Sequence, residues 1–376
     1  MPRLPPPFLR LKPEFSPRAR RPVKGSPFRR LSRLLSVSLG LAAFFASAGC
    51  GPPREGGGGE GEIRWGTSAV GSSGHRALVN LAALLNRELE AVSITVQPMP
   101  GAVMTIRSYA SGALEGFYGA DISFHELAAD SGRFEGFRDR MRREPVQSFW
   151  AFSMAMGLAI RAQDREAIRE WGDLDGRRVF TGPGPWDTRA HLERLLKGLG
   201  VRHRYLELDL GMAASQLEAE AVDAIGIYVT GRGDAPPWIA EAELSADLAV
   251  LNPSPAERKR LEELGHETRA FPADIFRTEV HADEAILSPF YYGFHLGMDF
   301  SEEEVYRVLT TIEANADRLA QADPVFRQIA EDMPGLQRLG VRRAIGDVRV
   351  HPGLARYLAE RDLWEAAWDD RVAEAP

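Results

Sequence analysis

Beyond residue 62 the spacing of apolar positions keeps switching between the period of a strand and that of a helix. It predicts a strand over 63–67, a Gly/Ser loop over 66–74, and a helix over 75–90. That helix sets Leu78, Leu81, Ala82, Leu85 and Leu89 on one stripe. Val92, Ile94 and Val96 alternate as in a strand over 92–98. Gly101 opens a second helix through Met104, Ile106 and Tyr109, and a third strand is expected over 120–124. Strands and helices in strict alternation argue for a parallel sheet with crossover helices.

Residues 146–160 (VQSFWAFSMAMGLAI) form an uncharged apolar run. It is too short to cross a bilayer and reads as one or two buried strands. A second α/β unit follows, with a strand over 178–181, a loop over 182–187, a helix over 188–199 and a buried strand over 222–229. A second apolar run covers 285–298. Ser301 and Glu304 make a capping box for a helix reaching about residue 318, and the tail over 354–368 has a helical pattern. Two α/β units joined by two long apolar strands predict a chain that passes twice between two lobes, near 150–156 and 280–288. The cleft then falls at the carboxyl ends of the strands.

Charge separates the first fifty residues from the rest. They hold ten Lys/Arg and one acid, while the whole 376-residue chain nets −7, so the remainder nets −16. So acidic a body repels phosphate, and no nucleic-acid partner is expected. The head ends in Arg29, Arg30 and Arg33, followed by the uncharged residues 34–49 and then Cys50. A basic segment, a short apolar run and the small residues Ala46, Ser47, Ala48 and Gly49 describe an export signal over 1–50. Small residues directly before the only cysteine resemble a bacterial lipoprotein cleavage site, with Cys50 acylated, although Ser47 stands where Leu is usual. Residues 51–62 then read as a flexible Gly-rich tether. A single cysteine excludes an intrachain disulfide and any cysteine-based zinc or iron–sulfur site.

Candidate chemistry gathers in the loops that lead from strands into helices. Thr67, Ser68, Gly71, Ser72, Ser73 and His75 lie in or beside the first. Its spacing approaches a phosphate-binding loop but lacks the lysine, so a nucleotide triphosphatase is not expected. What remains is a helix start whose backbone N–H groups and serine hydroxyls can hold an anion, or else only cap the helix. Gly101 and Ala102 open the next helix. Thr181, Gly182, Trp186, Asp187 and Thr188 form the equivalent loop of the second unit, where Asp187 or Thr188 can cap and Trp186 is either a lid or a packing residue. Tyr228 ends a buried strand, either reaching the cleft or packing within the core. The histidines show no metal spacing and the Gly/Ser loop no nucleophile elbow, so no catalytic residue, metal or cofactor is expected.

In order, the segments IRWGTSAVGSSG, PGAVMTIRSYASG, Ala120-Asp121, DLDGRRVFTGPGPWDT, VDAIGIYVTGRGDAP and HPGLARY resemble the TAXI solute-binding proteins. These are the extracytoplasmic receptors of certain tripartite ATP-independent periplasmic (TRAP) transporters. The resemblance implies an α/β, two-lobe periplasmic-binding-protein fold of type II (Venus flytrap), with a hinge crossed twice. Lobe 1 would comprise 63–152 and 284–376, and lobe 2 would comprise 153–283. It implies closure on a small polar solute, an amino acid or organic carboxylate, and a membrane permease as partner, with the lipid at Cys50 as anchor outside the cytoplasm. The alternative on the same fold is a ligand-sensing or scaffold lipoprotein without transport. Departures from the family pattern fall in the loops: His75 and Arg76 replace an aromatic pair, and Trp186 and Asp187 replace Ser-Gly. Residues 113–119 look like an insertion. Asp187, if it faces the cleft, would favour a ligand bearing an amine, with Arg76 or Arg189 available for the opposite charge.

Overall fold

The structure is a computed structural model, and it describes residues 62–374 apart from 91, 232, 278, 281 and 282. The export signal, Cys50 and all but the last residue of the tether lie outside the described residues. The first part of the fold runs β1 (Glu62–Thr67), α1 (Ser73–Glu88), β2 (Ser93–Pro98), α2 (Ala102–Ala110), β3 (Gly116–Ala120) and α3 (Asp121–Ala128). The long β4 (Trp150–Arg161) leads into β5 (Arg178–Phe180), α4 (Asp187–Gly198), β6 (Arg204–Tyr205), α5 (Ala213–Glu218) and β7 (Ala224–Thr230). Next come α6 (Pro237–Ser245), β8 (Leu248–Leu251), α7 (Pro255–Glu263), β9 (Arg269–Pro272) and β10 (Glu279–Val280). The long β11 (Glu284–Leu296) returns the chain to α8 (Glu302–Ala314), α9 (Ala316–Ala322), α10 (Arg327–Ala344) and α11 (Pro352–Ala359).

The strand order β2-β1-β3-β11-β4-β7-β5-β6 contains the same motif twice. In the first half β1 pairs in parallel with β2 and β3, and β11 adds antiparallel to β3. In the second half β5 pairs in parallel with β6 and β7, and β4 adds antiparallel to β7. Each half is thus closed by a strand belonging to the passage between halves, and those two strands pair with each other. This is the type II periplasmic-binding-protein arrangement, two α/β halves with a hinge crossed twice. Every residue of β4 is buried, and every residue of β11 except Glu284, which explains why both runs are apolar on both faces. Beyond Met156, β4 exchanges β11 for β8, and β11 turns to β9. The sheet divides at that point.

The third strand and the insertion correct the sequence reading. β3 occupies 116–120, within the stretch taken as inserted, and Asp121 begins a helix where a strand was expected. Two glycines disguise the strand, since they offer no side chain to a propensity reading. A Cβ on Gly116 would stand 2.7 Å from the Trp65 ring, and one on Gly119 3.1 Å from Phe124. The helix after the capping box breaks at Asn315 into α8 and α9, and α11 ends at Ala359, with only a short 3-10 turn (Ala366–Arg371) beyond it. The capping box itself forms as expected.

Candidate functional site

Three helix starts meet between the halves. At α1, Ser72 is the cap: its Oγ accepts from the His75 N–H at 3.2 Å and lies 2.6 Å from Ser68 Oγ. The glycine at 74 is needed here. A Cβ at that position would stand 2.6 Å from Ser68 Oγ and 2.9 Å from the Tyr118 phenol oxygen. At α2, Gly101 caps without a side chain and abuts the other half, its Cβ position lying 3.4 Å from the Pro185 carbonyl oxygen. At α4 the cap is Trp186, not Asp187 or Thr188, and it makes no side-chain cap bond. Asp187 instead stands in the first turn, where the helix dipole favours a carboxylate.

Asp187 is 1% exposed and ties the halves together. Its Oδ1 receives the Ser123 hydroxyl at 2.5 Å and Arg133 Nη1 at 2.8 Å, both from the first half. Arg133 also donates to Glu126 Oε2 at 2.7 Å. Burial opposes the Arg133 charge, but Asp187 and Glu126 outweigh it, so its pKa is raised. Burial raises the Glu126 pKa, with Arg133 pulling back. The remaining oxygen of Asp187, Oδ2, is buried with no hydrogen-bond partner, as is the hydroxyl of Thr188. Tyr118 and Tyr292 stack at 4.6 Å between ring centroids. Burial, and then the Asp187 charge, drives both of their phenol pKa values far up, so both remain protonated.

A cavity of about 30 Å³ lies here. Ser68, Ser72, Ser73, Gly101, Ala102, Trp186, Asp187, Thr188 and Tyr228, all singled out in the sequence, line it. Five others do not. Thr67 is buried at the end of β1, Gly71 takes the left-handed conformation in its loop (φ 86°), and His75 faces a different cavity. Thr181 donates to Glu193 at 2.6 Å, and the Gly182 carbonyl accepts from Tyr205 at 3.0 Å. Tyr118, Met154, Gly74 and Tyr292 also line the cavity and went unnoticed in the sequence. Tyr118 sat in the supposed insertion, and Met154 and Tyr292 look like ordinary core residues of apolar strands. Arg133, Ser123 and Glu126 carried no motif at all. The larger neighbouring cavity, about 500 Å³, shares Ser73 with the small one and is bordered by His75, Arg76, Asn80, Asp234 and Asp323. Arg76 Nε lies 3.5 Å from Asp323 Oδ2, and Arg327 Nη1 bridges the halves to Asp234 Oδ1 at 2.6 Å.

No family model matches the chain, and no curated protein matches it. Among solved structures, it is similar to the periplasmic aliphatic sulphonate binding protein SsuA from Escherichia coli, with 14% identity, 75% of this chain and 83% of that chain covered, and a TM-score of 0.44. It is also similar to a putative L-cystine ABC transporter protein from Listeria monocytogenes, with 13% identity, 72% and 98% covered, and a TM-score of 0.41. The alkanesulfonate-binding protein SsuA from Xanthomonas axonopodis pv. citri, bound to MOPS, shows 18% identity, 80% and 91% covered, and a TM-score of 0.42. Strand order, not these distant likenesses, carries the fold assignment, and they say nothing of what this chain binds.

Proposed function

We propose that the protein is an extracytoplasmic solute-binding receptor of the TAXI type, serving the permease of a TRAP transporter and anchored by a lipid on Cys50. Its lobes are 63–152 with 284–376, and 153–283. The solute is a small polar molecule held between them, and no catalysis is proposed. One observation carries this reading: residues from three helix starts, two in the first half and one in the second, converge on a single cavity between the halves. A ligand that touches both halves shifts the balance toward the closed arrangement. The cavity holds about 30 Å³, so a solute of amino-acid size enters only when the halves part.

A second reading, a sensing or scaffold lipoprotein without transport, is favoured by the bonds that hold the halves together through the protein's own side chains. These are Arg133 with Asp187 and Arg327 with Asp234. Calorimetric titration of the full chain with amino acids, organic acids and amines, alongside small-angle scattering, tests both. Saturable binding with a smaller radius of gyration supports the receptor. If no compound binds and the radius stays fixed, the receptor reading fails.

A further inference from the structure

Among the thirteen residues around the interlobe cavity, Asp187 is the only charged one. The resemblance implies an anionic solute group at a helix start, yet both starts with side chains suited to that task are already occupied. At α1 the Ser68 and Ser72 hydroxyls bind each other and the His75 N–H, and the Tyr118 phenol packs against Gly74. At α4 the favourable position for negative charge belongs to Asp187 itself. A solute carboxylate placed there would face a second carboxylate in a dry site, where repulsion is far stronger than in water.

No positively charged side chain lines the cavity. Arg133, Glu126 and Asp187 together carry one net negative charge, and Arg133 does not line the cavity. Asp187 Oδ2, an acceptor, and the Thr188 hydroxyl, which can accept or donate, are buried without partners, in residues 1% and 3% exposed. Leaving such groups unsatisfied is costly, most of all for a charged oxygen, so the site is poised for a donor. An ammonium group offers up to three N–H donors and a positive charge. The rings of Trp186, Tyr118, Tyr228 and Tyr292 border the same space and are compatible neighbours for a cation. The net −16 of the chain beyond Cys50 adds long-range attraction for cations.

We infer that the interlobe site recognises its solute through an ammonium group seated on Asp187 Oδ2 and Thr188 Oγ1, so the solute class is a small organic amine and not a carboxylate. This rests on the receptor reading above. The test is calorimetry on the full chain with methylammonium, ethanolamine, the neutral isostere ethylene glycol, acetate and succinate, at low ionic strength. The amines bind saturably, the isostere and the acids bind at least tenfold more weakly, and Asp187→Asn lowers amine affinity at least tenfold. The comparison of ethanolamine with ethylene glycol needs only the unaltered protein, so it stands even if the variant misfolds. Binding of acetate or succinate in preference to the amines overturns the amine assignment and leaves the receptor reading intact. Equal binding of ethylene glycol and ethanolamine, or undiminished amine affinity in Asp187→Asn, does the same. Silence from every compound sinks both.

Discussion

Burial decides what each ion pair contributes. Arg169 and Glu166 pair at 3.3 Å on the surface, 71% and 83% exposed, where such contacts contribute about 0–1 kcal/mol. Arg133 and Asp187 pair at 2.8 Å with side chains 18% and 1% exposed. Removing one partner there leaves a buried charge without compensation, which costs about 3–5 kcal/mol. Arg133→Ala is therefore expected to lower stability by about 3 kcal/mol in urea denaturation. Arg133→Ala combined with Asp187→Ala should cost less than the two single changes summed, because the second removal relieves the charge stranded by the first. Strict additivity would show that the two residues act independently.

The elements are held by devices at their ends and edges as much as by their cores. Ser301 accepts from the Glu304 N–H at 3.2 Å, while Glu304 Oε2 receives the Ser301 N–H at 2.7 Å, so both ends of the capping box are closed. Ser301→Ala is expected to cost about 1 kcal/mol, read as a lower midpoint in thermal denaturation with the fold unchanged by circular dichroism. Gln337 fastens α10 to β4 in a similar way. Its Oε1 receives the Trp150 N–H at 2.7 Å and its Nε2 donates to the Trp150 carbonyl at 2.7 Å. That leaves the start of a buried strand satisfied where no neighbouring strand could do so. A Cβ on Gly340, one turn along the same helix, would stand 2.2 Å from the Trp150 ring, so only glycine allows the helix this close.

At the scale of the whole molecule, buried histidines set the response to acid. Burial holds the pKa of His351 down at about 4 and that of His295 at about 3. Burial, then Arg194 and Arg343, hold His266 at about 4. Burial and the neighbouring His266 hold His191 well below its ordinary 6.5. The folded protein keeps these rings neutral while the unfolded chain protonates them near 6.5. Stability is therefore full above that pH and falls as pH drops toward about 4. Asp121 acts in the opposite sense: burial lifts its pKa to about 6, so acid favours its folded form between about 6 and its ordinary 3.8. Glu126 and Asp234 are raised as well, but Glu115, Glu193 and Asp223 are lowered and lose stability in acid, so the four histidines still decide the sign. The expected result is a melting temperature that declines from pH 7 to pH 4.5, with a shallower decline in His266→Asn. A flat profile would contradict it. His191 and His266 also border a polar cavity of about 120 Å³ between α3 and α4, so part of this acid sensitivity lies where the halves meet.

Local periodicity was enough to determine the α/β class, the two long apolar strands and the helices α1, α2, α4, α8 and α11, but not α3, α5, α6, α7 or α10, because burial of a stripe or of both strand faces leaves its period in the chain. It was also enough to place Ser72, Gly101, Trp186 and Asp187 at helix starts, since those loops follow strands and precede amphipathic runs. Tertiary structure decided which of those loops meet. It made Ser72 the cap, one of the two roles its position allowed, sent His75 to another cavity, and brought Arg133 and Ser123 onto Asp187 from distant positions in the chain. It also placed Tyr118 and Tyr292 around the same carboxylate. None of this is periodic: a salt bridge or a stacked pair between residues 54 or more apart leaves no local signature. Nor does a short strand such as β3, where glycines at both ends of Phe117 and Tyr118 break the alternation and make room for the rings of Trp65 and Phe124.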